Sequence, residues 1–271
     1  MIEQAIFNGT AIQIGRKEVQ TVSIINTILD GKEPDVRDQL WDNWAPDYQR
    51  FLKLTSTRKA WNDFIQTVTP TQDSLLFFDA GCGDGEIIEG LVKRLPNSKI
   101  IGADKSVEFL QRAQIRLATK LQDAVGRVSL WRVDLTKPFP WDNETFDGAT
   151  MNFVFQYLSR DEQEHVIGEM ERVLKPGGKL HLSTFVDGRS FKEVAPKEIL
   201  KDLLRGNLVG VILASSKLSI TRQFDKLRER GFMNHPFVTD LEQMHRGAGF
   251  SDFEIADRKF SGIEVISIAT K

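Results

Sequence analysis

The feature that most constrains the fold of this chain is a glycine-rich turn that directly follows a short apolar run. The segment 75–86 reads LLFFDAGCGDGE, and Ile87 and Ile88 then resume an apolar pattern. This pattern is typical of a buried parallel strand that ends in a tight turn and opens a helix. Glycines allow the backbone to bend sharply and a ligand to approach it. Because glycines also serve ordinary strand-to-helix turns, this stretch alone does not identify a ligand.

Downstream of the turn, segments with strand and helix patterns alternate. Strands are predicted over 75–80, 99–103, 128–133, 146–153 and 179–185, with helices over 86–95, 107–121 and 161–174. Two closing strands, at 250–258 and 263–269, follow a further helix. Regular alternation indicates an α/β fold, with a parallel sheet and helices on both faces. In such sheets, ligands bind beyond the carboxyl ends of the strands, where the glycine turn lies.

Two segments fall outside this alternation. Residues 1–70 are interpreted as an N-terminal accessory or lid segment, with a hairpin around Asn8-Gly9 and helical patterns over 19–29, 37–51 and 57–68. Residues 186–238 separate a core strand from the next helix and are interpreted as a helical cap over the ligand side. The core domain is therefore expected to comprise residues 71–185 and 239–271.

Composition excludes several classes of protein and site. Lys and Arg number 36 and Asp and Glu 38, so the net charge of -2 gives no overall field that attracts nucleic acid or a membrane. The single cysteine, Cys82, excludes an intramolecular disulfide and a cysteine-rich metal site. No signal-peptide pattern begins the sequence, and no run approaches the roughly 18 apolar residues of a membrane span. A cytoplasmic location is therefore expected.

The spacing of the glycines separates two kinds of nucleotide-containing ligand. A dinucleotide site needs G-x-G-x-x-G, in which the third glycine lets the helix pack beneath a pyrophosphate. Here Gly85 follows Gly83 after one residue, and Glu86 occupies the position of the third glycine of the dinucleotide pattern. A carboxylate at that position would repel a pyrophosphate. The spacing therefore argues against an NAD site.

The turn and five further segments, in the same order, resemble the class I S-adenosylmethionine-dependent methyltransferases. The turn matches D-x-G-x-G-x-G from Asp79, and the other segments are 100–106, 133–135, 139–158, 172–178 and 245–250. Residues 41–48 also resemble the aromatic segment of the ubiquinone-biosynthesis-like (methyltransferase type 11) subgroup. The resemblance implies a Rossmann-like sheet of seven mostly parallel strands with an antiparallel last strand. It also implies S-adenosylmethionine as the cofactor.

The resemblance places one group of residues around the methionine end of the cofactor. Asp79 would help to hold the ammonium group by charge-assisted hydrogen bonds or through water. The backbone would approach the ligand at Gly81, Cys82 and Gly83. Asn152 and Phe153, at the end of the fourth predicted strand, would lie near the sulfonium.

A second group is implied for the adenosine end. Asp104, followed by Lys105, ends the second strand, and its carboxylate is suited to accepting both ribose hydroxyls. Asp134 follows the third strand and would contact the adenine amino group. Leu135 would donate a hydrogen bond from its backbone.

Two residues are candidates for catalysis. Tyr48 resembles a tyrosine that closes over the cofactor in the ubiquinone-biosynthesis-like subgroup, although an aromatic stripe at helical spacing is also typical of a core. His235, at the end of the insertion, is the best-placed potential base. His165, His181 and His245 complete the set of histidines, which show no metal-ligand spacing. His181 is interpreted as a packed core histidine.

Three functional hypotheses remain open from the sequence. The first is in-line methyl transfer to an O, N or C nucleophile of a small molecule, with an apolar or aromatic acceptor indicated by apolar residues of the cap. The second is an RNA or protein methyltransferase, which is disfavoured because acidic residues interrupt the basic cluster at 217–230. The third is a cofactor-binding protein that does not methylate. A homodimer is compatible with each of them.

Overall fold

The computed structural model describes the core of the chain and parts of its flanks. The described residues are 55–72, 74–186, 233–259 and 262–271, the short strands 12–14, 17–19 and 25–27, and the isolated positions 200, 204, 228, 229 and 231. The hairpin predicted around Asn8-Gly9, the helix predicted over 37–51 and nearly all of the cap lie outside these residues. The candidate Tyr48 also lies outside them.

From residue 55 onward, the described elements follow the predicted order. The strands are β1 (Ile12–Ile14), β2 (Lys17–Val19), β3 (Ile25–Thr27), β4 (Leu76–Ala80), β5 (Lys99–Asp104), β6 (Val128–Arg132), β7 (Phe146–Asn152), β8 (Leu174–Phe185), β9 (Asp252–Lys259) and β10 (Glu264–Thr270). The helices are α1 (Thr55–Thr67), α2 (Glu86–Arg94), α3 (Val107–Lys120), α4 (Arg160–Val173) and α5 (Val238–Ala248). None of these helices combines the length and apolar character that a membrane span requires.

The main sheet confirms the predicted fold and adds one strand to it. Its strand order is β3-β6-β5-β4-β7-β8-β10-β9. The pairs from β3 to β8 are parallel, whereas β10 is antiparallel to both β8 and β9. The seven strands from β4 to β10 therefore have the expected arrangement, and β3 extends the edge beside β6.

The helix predicted over 19–29 is wrong where the structure describes this segment. Val19 belongs to β2, which pairs with β1, and Ile25–Thr27 forms the edge strand β3. The segment 21–28 is rich in Val, Ile and Thr, whose branched side chains favour strands. An available sheet edge therefore outweighs the approximate helical spacing.

Strand β8 begins earlier than predicted. It includes the Pro176-Gly177-Gly178 turn and starts at Leu174, five residues before Lys179. Hydrogen bonds with the C-terminal residue account for the extension, because the Gly177 amide donates to the Lys271 carbonyl (2.9 Å) and the Lys271 amide donates to the Gly178 carbonyl (3.0 Å).

Helices cover both faces of the sheet, as the alternation predicts. On one face, α1, α2 and α3 bury a cluster that includes Phe64, Ile88 and Leu110. On the other face, α4 and α5 bury a cluster around Phe78 and Met151. Burying both faces explains why the central strands read as nearly continuous apolar runs.

Helix α1 matches the helix predicted over 57–68, although it starts at Thr55. Trp61, Phe64 and Ile65 are buried beneath it. His181 on β8 lies under the same helix, where the Thr67 hydroxyl contacts its Nδ1 at 3.0 Å. Burial, with a smaller effect of Lys179, lowers the pKa of His181 to about 3. The histidine is therefore a neutral core residue, which confirms its interpretation as packed.

Candidate active site

A cavity opens at the carboxyl ends of β4, β5, β6 and β7. This is the edge at which an open parallel sheet binds ligands. All of the expected cofactor contacts except Asp79 and Cys82 line it. The lining residues are Gly81, Gly83, Asp104, Lys105, Phe109, Val133, Asp134, Leu135, Thr136, Asn152, Phe153, Val154, Tyr157 and Leu158.

The glycine turn between β4 and α2 depends on side chains from other elements. Gly81 has φ of +71°, and a Cβ there would lie 2.2 Å from Cγ2 of Val154. Gly85 has φ of +79° at the start of α2, and its Cβ would lie 3.2 Å from that of Ala113 on α3. Both positions therefore need glycine for the backbone conformation and for close packing.

Asp104 connects the end of β5 to the glycine turn. Its Oδ2 accepts a hydrogen bond from the Gly83 amide, and its Oδ1 accepts one from the Ser106 amide, each at 2.9 Å. Burial raises the pKa of Asp104, although these amide hydrogen bonds partly offset the effect. A carboxylate oxygen can accept more than one hydrogen bond, so the Asp104 side chain retains acceptor capacity for a diol at the cavity.

Asp134 shapes the turn that follows β6. Its Oδ1 accepts hydrogen bonds from the Thr136 amide (3.0 Å) and hydroxyl (2.8 Å). These bonds close a turn of the type that aspartate stabilises, and Leu135 lines the cavity beside it. The turn thus presents both residues that the resemblance assigns to the adenine ring.

Asp79 lies behind the residues that line the cavity. In the β4–β7 pairing it is opposite Thr150, two residues before the cavity residues Gly81 and Asn152. Its Oδ1 accepts a hydrogen bond from the Thr150 hydroxyl at 2.8 Å. Burial raises the pKa of Asp79 to about 7, assisted by the nearby Asp104 and opposed by the Thr150 hydrogen bond.

Two buried oxygen atoms near the cavity fit a cationic ligand. Asp79 Oδ2 and Asn152 Oδ1 have no hydrogen-bond partner within the described part of the chain. A buried polar atom without a partner is costly, and both atoms are acceptors that an ammonium group satisfies. The residues present therefore fit the methionine end of the implied cofactor.

The loop after β7 supplies residues that the sequence interpretation missed. Phe153 has φ of +56°, an uncommon conformation for a residue other than glycine. Val154 packs against Gly81, and Tyr157 and Leu158 also line the cavity. Burial raises the pKa of the Tyr157 phenol above its ordinary value. The aromatic residues within the motif at 151–158 were the signal in the sequence that could have identified this side of the cavity.

The structure does not place the side chain of Cys82 at the cavity. The residue is buried, and its Sγ lies beneath Gly102 of β5, 3.1 Å from the position of an added Cβ. Burial and nearby carboxylates raise the pKa of the thiol well above its ordinary value. A bulky or charged side chain has no room there, so the side chain of Cys82 is a packing residue, and the approach of its backbone to the cofactor stays a prediction.

His235 lies near an aromatic wall formed by Phe153 and Phe185, and it does not line the cavity. Its ring centroid is 5.8 Å from that of Phe185, whose ring is 4.9 Å from that of Phe153. The preceding residue, Asn234, fixes this position because its amide donates to the Gln156 carbonyl (2.6 Å) and its side chain donates to the Leu158 carbonyl (3.0 Å). The loop after β7 thus anchors the end of the insertion.

An ion-pair cluster centred on α3 stabilises the glycine turn. Arg116 on α3 donates to the Asp84 carbonyl (2.9 Å) and side chain (2.7 Å), and it also pairs with Glu86 and Glu89. Burial alone would raise the pKa of Glu89, but hydrogen bonds from Lys93, Arg116 and Lys120 lower it to about 2. The cluster connects α3 to the turn and to the first turn of α2.

Replacing Arg116 with methionine should lower the free energy of unfolding by about 3 kcal/mol, because Asp84 would remain buried without its counter-charge. The matched control is Arg112→Met on the same helix, where the pairing with Glu108 is more exposed and the expected loss is below about 1 kcal/mol. Urea denaturation of the two variants measures both values. Equal losses would show that the cluster does not stabilise the turn.

The chain is similar to methyltransferases in sequence. A family described as a methyltransferase domain matches residues 77–178. The demethylmenaquinone methyltransferase of Symbiobacterium thermophilum is 26% identical over 260 residues, which cover 89% of this chain and 94% of that protein. The mitochondrial 2-methoxy-6-polyprenyl-1,4-benzoquinol methylase of Caenorhabditis elegans is 25% identical and covers 74% of this chain and 67% of that protein. With several other curated relatives the match spans 48–60% of their length.

A solved structure with the cofactor bound has the same fold. Phosphoethanolamine N-methyltransferase 2 of Haemonchus contortus, in complex with S-adenosyl-L-methionine, matches with a TM-score of 0.59 at 15% identity. The match covers 87% of this chain and 58% of that chain. At this identity the likeness concerns the fold.

Proposed function

The chain is a class I S-adenosylmethionine-dependent methyltransferase, and we propose that it methylates a small molecule with an aromatic or otherwise apolar body. The cofactor supplies an electrophilic methyl group, so the protein mainly has to align an acceptor with it.

The proposed cofactor contacts run along the sheet edge from β6 to β7. Asp134 and Leu135 are assigned to the adenine, Asp104 with Lys105 to the ribose, and Asn152 with Phe153 to the sulfonium side. Asp79 is assigned to the ammonium group, and the backbone of Gly81 and Gly83 to the ligand's approach. The acceptor therefore belongs beyond β7, towards β8 and β10.

An apolar cluster beyond β7, of which Phe153 and Tyr157 line the cavity, is the observation that supports an apolar acceptor. Phe153, Phe185, Met233 and Ile263 are buried in one cluster, and Tyr157 packs against it. Buried aromatic and aliphatic walls with a few polar groups are typical of small-molecule sites. We further propose that the flanking segments 1–70 and 186–238 complete this site as a lid and a cap.

The names of the relatives point to the same chemical class. Two of them methylate demethylmenaquinone or a polyprenyl benzoquinol by name. A hydroxylated aromatic ring with an apolar substituent fits the wall described above. We therefore propose a phenol-type or quinol-type acceptor.

Incubation of the protein with radiolabelled S-adenosylmethionine and a panel of acceptors tests this function. The panel contains 1,4-dihydroxynaphthalene, 1-naphthol, small aliphatic amines, bulk tRNA and a protein extract. We expect S-adenosylhomocysteine and a labelled product with the hydroxyaromatic compounds. The background is measured with Asp104→Ala, a variant in which binding of the cofactor should be weakened. Label incorporated only into RNA or protein would overturn the proposal.

A further inference from the structure

A buried carboxyl group lies at the carboxyl edge of the sheet, outside the cofactor contacts. Because β10 runs antiparallel to β8, its first residue, Glu264, lies opposite Phe185 at the end of β8. The side chain of Glu264 is completely buried. Its Oε1 accepts a hydrogen bond from the Ser183 hydroxyl at 2.8 Å. Its Oε2 has no hydrogen-bond partner in the described ranges.

The strand register relates this carboxyl group to the cavity. Ser183 pairs with Asn152, and the Ser183 carbonyl accepts a hydrogen bond from the Phe153 amide at 3.0 Å. Neighbouring strands are about 4.8 Å apart and residues rise about 3.3 Å along a strand. Glu264 on β10 is two strands across from Asn152 on β7 and two residues out of register with it, so the two lie about 12 Å apart. Asp104 lies on the opposite side of Asn152, because β5 and β10 flank β7 in the strand order. Glu264 is therefore on the acceptor side of the site.

Within the described residues, no counter-ion is available to this carboxyl group. The charged groups that face it are Lys259 and Asp257 on β9 and Asp63 on α1. Lys259 is already engaged, because its Nζ contacts Asp63 at 2.7 Å and also pairs with Asp257. Burial raises the pKa of Glu264 to about 8, and the Ser183 hydrogen bond and Lys259 offset this only in part. Such a group exchanges protons near neutral pH.

A structural role does not require an acid at this position. A glutamine would accept the same hydrogen bond from Ser183 without the cost of burying an ionisable group. The acid instead adds one acceptor that lacks a partner, close to the wall formed by Phe153 and Phe185. Costly groups of this kind are concentrated at functional sites.

We propose that Glu264 is the residue that binds the hydroxyl group of a phenol-type acceptor and takes its proton through Oε2. This inference rests on the proposed small-molecule function and specifies its acceptor chemistry. The hydroxyl proton moves to the Glu264 carboxylate as the hydroxyl oxygen forms its bond to the methyl carbon. The carbon–sulfur bond breaks, its electron pair remains on sulfur, and the products are the methylated acceptor, S-adenosylhomocysteine and protonated Glu264. His235, on the same wall, is then not required as the base.

Binding of a matched pair of probes tests the proposal independently of turnover. Calorimetry without oxygen, in the presence of S-adenosylhomocysteine, compares 1,4-dihydroxynaphthalene with 1,4-dimethoxynaphthalene. The wild type should bind the dihydroxy compound at least about tenfold more tightly, as expected for one lost hydrogen bond to a buried polar group. Glu264→Gln should lower this preference to about twofold or less, because it cannot accept the proton. The control Glu254→Gln, an exposed position on β9, should retain the preference.

The pH dependence of turnover supplies a second readout. With 1,4-dihydroxynaphthalene as the acceptor, kcat/KM of the wild type should rise with pH up to about 8, and Glu264→Gln should lose this rise. The hydrogen bond from Ser183 lowers the pKa of Glu264. Ser183→Ala removes this bond and should therefore move the rise to higher pH. This variant keeps the acid and therefore tests the proposal even if Glu264→Gln fails to fold.

Two outcomes would overturn the inference. One is an unchanged probe preference and pH profile in folded Glu264→Gln together with an unshifted profile in Ser183→Ala. The other is a wild type that does not prefer the dihydroxy probe. In the second case, formation of S-adenosylhomocysteine with another small molecule would still support the proposed function, whereas its absence with every small molecule would overturn both.

Discussion

Replacing Asp104 with alanine should weaken the binding of S-adenosylmethionine by a factor of about 100 or more. The variant loses charge-assisted hydrogen bonds to two ribose hydroxyls, for which about 3 kcal/mol in total is a conservative value. It also releases the Gly83 amide, which the Asp104 carboxylate holds at 2.9 Å. Calorimetric titration with S-adenosylmethionine and with S-adenosylhomocysteine measures the effect. Both ligands should lose affinity equally, because they share the ribose.

Two further variants separate loss of charge from loss of the side chain. Asp104→Asn retains one acceptor oxygen and should weaken binding by about tenfold, an intermediate loss. Asp123→Ala removes an exposed aspartate that lies just after α3 and should leave the affinity unchanged. A folded Asp104→Ala protein with wild-type affinity would show that the ribose assignment is wrong.

The affinity for S-adenosylmethionine should rise with pH between about 5 and 7, because Asp79 must ionise to bind an ammonium group. In the ligand-free protein, burial raises the pKa of this carboxyl group to about 7, so it is largely protonated at pH 5. Binding at pH 5 then has to displace a proton, at about 1.4 kcal/mol per pH unit. With a pKa of about 7, half of the Asp79 carboxyl groups are ionised at pH 7 and about one in a hundred at pH 5, so the expected affinity at pH 5 is about 50-fold lower than at pH 7. Above about pH 8 the amino group of the ligand itself deprotonates, and the affinity should fall again.

Proton release provides the direct measurement for this prediction. Titrations at pH 6 in buffers of different ionisation enthalpy should report release of protons on binding by the wild type. Asp79→Asn should bind more weakly at pH 7 and should lose most of the dependence on pH. Burial also raises the pKa of Asp104, and that residue accounts for any slope that remains. An undiminished slope in Asp79→Asn would remove the assignment of Asp79 to the ammonium group.

The same raised pKa affects the stability of the ligand-free protein. The ordinary pKa of Asp79 is 3.8, and the folded value is about 7. Between these values the folded state retains a proton that the unfolded state has lost. The contribution of Asp79 to stability is therefore largest at low pH and decreases as the pH rises towards 7.

The cofactor side of the site could be predicted from local patterns. Asp104 and Asp134 each lie at or just after the end of an apolar strand, and the glycine turn follows the strand that begins the core. Because the carboxyl ends of parallel strands meet at one edge, recognising the strands suffices to bring these residues together. The apolar face of α1 was likewise readable from its helical spacing.

The acceptor side could not be predicted in this way. Glu264 reads as one acid in an apolar closing strand, and its place near Asn152 follows only from the antiparallel insertion of β10 between β8 and β9. The helix predicted from the spacing of apolar residues over 19–29 was also wrong, because residues Ile25–Thr27 pair with β6 as a strand.

The α/β core was therefore predictable from the sequence, because it depends on patterns within single strands and turns. The resemblance to a methyltransferase family implied the cofactor and the residues assigned to it. Strand order and packing were needed to show that Cys82 is buried beneath Gly102, that Val154 fills the space above Gly81, and that Glu264 lies opposite Phe185. These contacts link residues that are distant in the chain, and their geometry depends on strand order and packing, which no local pattern specifies.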